Sequence, residues 1–167
     1  MKPKILFILH LPPPIHGAAM MGKYIQESEL VNSSFDCFCI NLATAGSLSD
    51  IGHISLKKLL KYFFLLKHIS HVVREIRPEL VYITPNAGGK AFFKDFIVVQ
   101  MLKSMGCKVI AHYHNKGVSV YQSKWVYNFF YKRFFSNLKV ILLAENLYKD
   151  IAKYVKREDV YICPNGI

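Results

Sequence analysis

Residues 4–17 run KILFILHLPPPIHG, and how this stretch is read decides the fold. Lys4 to His10 is a continuous apolar run, not an alternating one. A strand with one wet face alternates apolar and polar side chains, whereas a strand covered on both faces of a parallel sheet is apolar throughout. The run ends at Pro12, Pro13 and Pro14, and Gly17 then precedes a segment, residues 18–29, that can form a helix. The stretch superficially resembles a secretion signal, with two lysines before the apolar run. His10 and the prolines interrupt it, however, and no A-x-A cleavage site follows. Residues 5–22 carry no formal charge, but the prolines rule them out as a spanning helix.

Outward from this strand the pattern repeats. Short apolar runs at Asp36–Leu42, Leu80–Thr84, Lys108–Tyr113, Lys139–Ala144 and Val160–Cys163 read as further strands. Residues 54–76, 88–104, 119–136 and 145–155 read as helices between them. In the first of these, Lys57, Lys61, His68, His71 and Glu75 recur at helical spacing and mark a polar face, on which Phe64 also lies. Arg77-Pro78 closes that helix, and Gly106 is placed to cap the next. Strands alternating with helices along the whole chain predict an α/β fold: a Rossmann-like parallel β-sheet with helices on both faces, in one domain over 1–167.

Composition narrows the function classes. A 52% apolar content and a mean hydropathy of +0.20 exclude a disordered chain without reaching the composition of a membrane protein. A net charge of +11 attracts anions such as phosphates, nucleic acid or an anionic membrane, and is also compatible with a merely basic surface. Cys37, Cys39, Cys107 and Cys163 form no CxxC pair and no zinc spacing with histidine. Cys37, Cys39 and Cys163 sit in apolar runs and read as small buried hydrophobes, with reduced thiols and a cytoplasmic compartment as the expectation.

Ligands of open α/β sheets bind outside the carboxyl ends of the strands, so the residues just after each strand carry the chemistry. After the first strand, Gly17 stands where a helix begins, and free N–H groups there can hold a phosphate. A rigid proline-rich turn without a ligand accounts for the same residues. The G-x-G-x-x-G dinucleotide fingerprint is absent. After the fourth strand comes HYHNKG, residues 112–117. His112 and His114 share a strand face; His112 reads as a core residue and His114, at the strand end, as a ligand contact. Asn115 and Lys116 can donate to phosphate or sugar oxygens, and Gly117 permits a turn with positive φ. No carboxylate or third ligand close in sequence suggests a metal here. Glu145 begins the helix after the fifth strand, where it suits either a ligand or the helix dipole. From 125 to 135, aromatic residues hold seven of eleven positions, interleaved with Lys132 and Arg133 and preceded by Lys124. Aromatic and basic residues together suit a membrane interface or a lipid-linked ligand; a helix covered on both faces, by the sheet and by neighbouring helices, accounts for the same residues. No RRM, KH or helix-turn-helix signature supports nucleic-acid binding.

PPPIHGAAMMGKYI, RPELVYITP, IAHYHNKGV, VILLAENLYKDIAKYV and VYICPNGI occur in this order. Together they resemble the N-terminal, acceptor-side domain of glycosyltransferase family 4, the GT-B enzymes that transfer sugars with retention, and among them bacterial members that build surface polysaccharides. The resemblance covers nearly the whole chain. It implies that His16 and Gly17 lie by the donor diphosphate, that His114 is the catalytic-site histidine near the transferred sugar, and that Asn115, Lys116 and Gly117 border the acceptor pocket. Glu145 and Asn165 join the substrate-binding set. The family's E-x7-E donor signature belongs to a C-terminal nucleotide-sugar domain absent from this chain, so the fragment alone is expected to be inactive.

The resemblance thus implies an enzyme that moves a sugar from a nucleotide-sugar to a glycan or lipid-linked acceptor. It needs no metal and no cofactor beyond that donor substrate. His114 orients the sugar or acceptor by hydrogen bonding. The expected setting is cytoplasmic, with peripheral contact at the inner face of the plasma membrane through the basic aromatic helices. Two alternatives stand beside it: a self-contained anion- or membrane-binding module, and half of another GT-B enzyme such as a nucleotide-sugar epimerase.

Overall fold

A computed structural model describes residues 2–13, 15, 17–42 and 56–165. Its six strands are β1 (Lys4–Leu9), β2 (Asp36–Asn41), β3 (Leu80–Ile83), β4 (Val109–Tyr113), β5 (Lys139–Leu142) and β6 (Val160–Ile162). They form a single parallel sheet in the order β2-β1-β3-β4-β5-β6, with helices in the connections, so the α/β Rossmann-like expectation holds. The chain divides into two compact units, residues 1–82 and 83–167.

In the N-terminal unit, β1 pairs with β2 from Lys4 opposite Asp36 to Leu9 opposite Asn41. Leu6, Ile8 and Leu9 are wholly buried, and Ile5 and Phe7 nearly so, which is the two-sided burial that an unbroken apolar run requires. Ile5, Phe7 and Leu9 pack against Leu11, Ile25, Val31, Phe35, Leu80 and Tyr82. The segment expected as one helix over 18–29 is two helices, α1 (Gly17–Glu27) and α2 (Glu29–Ser34). Ser28 leaves the helical conformation between them, and its hydroxyl accepts the Val31 N–H at the start of α2. In α1, Gly22 is buried, and a Cβ there would run into the His10 carbonyl oxygen. Glycine at this position therefore lets α1 lie directly against the backbone that leaves β1. The third helix, α3 (Leu56–Ile76), buries Tyr62, Ile69, Val73 and Ile76 and turns Lys61, His68, His71 and Glu75 outward, as their spacing predicts. It stops at Arg77, which takes a left-handed turn (φ 48°) before Pro78.

In the C-terminal unit, β4 pairs with β5 and β5 with β6, both in parallel register. The first helix of this unit, α4 (Gly89–Ser104), ends as expected with Gly106 at positive φ (77°). The helix expected over 119–136 is divided into α5 (Val118–Tyr121) and α6 (Trp125–Phe135). Lys124 is extended and caps α6, so the chain changes direction between them. The region 145–155 is a 3-10 turn at Glu145–Leu147 followed by the short helix α7 (Tyr148–Ile151) and turns.

The aromatic density of α6 is largely an internal matter. Phe92 of α4 is fully buried and lies 4.6 Å from the Tyr131 ring and 5.5 Å from that of Phe134, centroid to centroid. Phe130 meets Phe93 and Phe96 edge-on at 5.3 and 4.8 Å. Trp125 and Phe129 are the exposed rings of α6. Lys103 ties the two helices together by donating to the carbonyls of Phe134 and Ser136, both at 2.6 Å, and of Arg133 at 3.1 Å, at the negative end of the α6 dipole. The cysteines depart from expectation. Cys39 and Cys163 are exposed and Cys37 half-buried, since Cys37 and Cys39 lie on the edge strand β2 and Cys163 just beyond the other edge strand, β6; Cys107, between α4 and β4, is half-buried.

Candidate functional site

The sequence-predicted residues fall in both units. Gly17 opens α1 in the N-terminal unit; it is exposed, and a Cβ on it would meet nothing within 4 Å. His16 lies outside the described residues. The same unit holds a shallow depression of about 410 Å³ lined by Lys2, Lys4, Asn32, Phe35, Asp36 and Cys37. It lies at the amino ends of β1 and β2, the end of a parallel sheet away from its usual ligand sites.

The other predicted residues gather at the strand ends of the C-terminal unit. The loop after β3 is Thr84-Pro85-Asn86-Ala87-Gly88. Asn86 donates both its backbone N–H and its side-chain amide to Oδ2 of Asp95 in α4, each at 2.8 Å. Asp95 is buried; desolvation pushes its pKa up to about 6, against the opposing pull of the Asn86 hydrogen bonds and Lys94. Ala87 donates its N–H to Asn115 Oδ1 at 3.1 Å, and its carbonyl accepts the Tyr131 hydroxyl at 2.6 Å. Gly88 lies so close to the Tyr121 ring that a Cβ would collide with it. The loop is thus held at several points by α4, α6 and the loop after β4.

At the end of β4, His112 is buried and His114 half-buried, with ring centroids 4.2 Å apart, as residues sharing a strand face should be. Burial pushes the His112 pKa down to about 3, and the neighbouring His114 adds to the drop. Burial also lowers His114, while the nearby Asn165 amide offsets part of that effect. Both imidazoles are therefore neutral at neutral pH. The Asn165 contact falls short of hydrogen-bond geometry, so both ring nitrogens of His114 and Oδ1 of Asn165 are buried without a hydrogen-bond partner. Thr84 Oγ1, just after β3, is in the same state. Buried polar atoms of this kind are few in folded proteins, because each costs about 1–3 kcal/mol when left unmet.

The loop after β4 turns through Gly117 at φ 148°, the positive φ anticipated for it. The N–H groups of Gly117, Val118 and Ser119, together with the Ser119 hydroxyl, all donate to the Asp150 carboxylate of α7 at 2.5–3.0 Å. Burial alone would raise the Asp150 pKa, but these hydrogen bonds together hold it below the usual carboxylate range. An acid of the chain itself thus occupies donors that an external anion could have used. Asn115 and Lys116 are exposed. Glu145 is exposed and forms a two-pronged pair with Arg157, at 2.8 Å to Nε and 2.7 Å to Nη2. Among the described residues, no three His, Cys, Asp or Glu side chains converge as metal ligands.

Thr84, Asp95 and Asp150 are site residues that sequence reasoning missed. Asp95 had a signal: it lies on the same helical stripe as Phe92, Val98, Val99 and Leu102, where an acid must be buried. Asp150 had none, since its partners lie more than thirty residues away.

No protein-family model matches the sequence, no curated protein shows significant similarity to it, and no solved structure matches it at that level.

Proposed function

We propose that the chain is the acceptor-side domain of a retaining GT-B glycosyltransferase, which moves a sugar from a nucleotide-sugar to a glycan or lipid-linked acceptor. The observation that carries the proposal is His114: a neutral imidazole at the carboxyl end of a parallel strand, with both nitrogens buried and unpartnered beside the equally unpartnered Asn165 Oδ1. A neutral imidazole offers one N–H donor and one lone pair, which suits a sugar hydroxyl that both accepts and donates. The carboxyl end of a parallel sheet is where ligands of such folds bind.

In this proposal His114 orients the transferred sugar or the acceptor and is not the base. Asn165 adds an acceptor beside it, and Lys116, exposed on the same loop, supplies a cation for an anionic group. Gly117 and Asn115 act through the loop they shape. Asn115 holds Ala87, and the Gly117 N–H is engaged by Asp150. Assigning the donor diphosphate to His16 and Gly17 rests on the family resemblance, with the open space around Gly17 compatible with close approach of a phosphate.

The test uses the whole gene product. The coding sequence beyond Ile167 is expected to encode a second α/β domain of roughly 150–200 residues carrying an E-x7-E pair. With that protein and a panel of nucleotide-sugars, His114→Ala should lower kcat by about a hundredfold, the scale of a lost positioning contact. Transfer that survives His114→Ala intact would remove the residue at the centre of the proposal.

A further inference from the structure

We propose that the first half of α3 is a docking surface for an anionic lipid bilayer. Leu56, Leu59, Leu60, Phe63 and Phe64 are each at least half exposed, although they are among the largest apolar side chains in the N-terminal unit. Their spacing of three and four residues places them on one outward stripe, across the helix from buried Tyr62 and Ile69. The same stripe continues toward the C-terminus as Lys67, His68, His71 and Arg74, all exposed. One helix face therefore begins apolar and becomes polar, with Lys67 and Arg74 as its cations and Glu75 set against His71 at 3.6 Å. Isolated exposed apolar residues need no explanation, but three leucines and two phenylalanines on one stripe mark an interaction surface.

Charge selects the occupant. From residue 51 to residue 74 the sequence has no acidic residue and carries Lys57, Lys58, Lys61, Lys67 and Arg74. Lys67 reaches over the Phe63 ring, with Nζ 4.7 Å from its centroid, so its stem covers the stripe while its charge stays at the rim. An apolar stripe edged by cations matches the boundary between acyl chains and anionic headgroups. A second copy of this chain, itself at +11, would bring like charge to like charge. Nucleic acid would leave Leu56, Leu59 and Leu60 facing phosphates. No helix among the described residues is long and apolar enough to cross a membrane, so the contact lies along the surface. The assignment rests on α3 alone and is independent of the sugar-transfer chemistry.

The test is flotation of the 167-residue chain with vesicles of phosphatidylcholine, or of equal parts phosphatidylcholine and phosphatidylglycerol. The chain should float with the mixed vesicles and not with the neutral ones, and added salt should release it. The double variant Phe63→Ser/Phe64→Ser, and separately Lys61→Glu/Lys67→Glu, should each weaken binding about tenfold or more. Thermal melts should show both variants folded, since all four side chains are exposed. Absence of flotation, equal flotation with neutral vesicles, or no effect of the Phe63/Phe64 variant would each overturn the assignment. So would a dimer, seen by sedimentation without lipid, that the same variant abolishes.

Discussion

Replacing His112 by glutamine should expose a pH dependence that the parent chain conceals. His112 is buried in β4 with its pKa pushed down from 6.5 to about 3, so the folded chain keeps it neutral where the unfolded chain takes up a proton. A base with a lowered folded pKa contributes full stability above the unfolded value and loses it as pH falls toward the folded one. One unmatched proton costs about 1.4 kcal/mol per pH unit, or about 2 kcal/mol between pH 6 and pH 4.5. Asp95 works in the opposite sense. Its pKa is raised from 3.8 to about 6, so across the same interval the folded chain retains a proton that the unfolded chain has released. Its stability contribution therefore rises on acidification, by about 1.5 kcal/mol over that interval, since the folded group is half protonated at pH 6.

In the parent these two slopes largely cancel. The variant His112→Gln should gain about 2 kcal/mol relative to the parent on going from pH 6 to pH 4.5. Asp95→Asn should lose about 1.5 kcal/mol over the same step. Repulsion from the net charge of +11 grows in all three proteins as carboxylates protonate, so the differences from the parent, not the raw slopes, carry the information. Urea unfolding followed by circular dichroism at the two pH values measures them. If His112→Gln tracks the parent to within about 0.3 kcal/mol per pH unit, against the 1.4 expected, then His112 protonates as readily in the folded chain as in the unfolded one and the reasoning fails.

Gly22→Ala should destabilise the chain by about 1–3 kcal/mol, because the new methyl meets the His10 carbonyl oxygen, whereas Gly17→Ala should change stability by less than about 0.5 kcal/mol. Urea midpoints of the two variants make the comparison. Asp150→Ala should cost about 1–3 kcal/mol and speed amide hydrogen exchange at Gly117, Val118 and Ser119, the three N–H groups its carboxylate holds. Unchanged exchange there would mean that the loop keeps its shape without the acid. Lys103→Met should cost about 1 kcal/mol, mainly by leaving the part-buried Phe134 carbonyl without its donor, since the Arg133 carbonyl keeps Gln100 Nε2 and that of Ser136 is open to water, as a thermal melt would show.

All six strands were legible in the sequence to within two residues, because each is a short apolar run bounded by loop residues and most are covered by protein. Helix ends were less legible. The separation of α1 from α2 depends on Ser28 capping the second helix, and that of α5 from α6 on an extended Lys124. Both signals are local, but they stand inside runs whose apolar periodicity favours one continuous helix. Cysteine burial was misjudged because edge and central strands have similar composition. Which strand lies at the edge is a property of the sheet order, and no short stretch of chain encodes it.

The candidate site divides along the same line. His114 could be picked out because its place at a strand end follows from local pattern and a general rule about parallel sheets. What its neighbours do could not be, since their partners come from distant elements. The Gly117 N–H is taken by Asp150, Asn115 Oδ1 by the Ala87 N–H, and Glu145 by Arg157. Each of these polar groups, read from sequence, was free to meet a ligand; in the fold each meets the chain itself. His114 and Asn165 remain, unmatched within the protein and adjacent to one another. Burying three polar atoms with no partner opposes folding, and the chain meets the hydrogen-bonding needs of the surrounding loop at almost every other point. A cost gathered at the strand ends, at Thr84 after β3, His114 after β4 and Asn165 after β6, is the pattern expected where binding, not stability, determines the side chains. Substituting Asn165 by alanine should on that basis leave the urea midpoint unchanged or slightly raised while weakening ligand capture. A clear loss of stability would instead make Asn165 a structural partner of His114, and the case for a site there would fall with it.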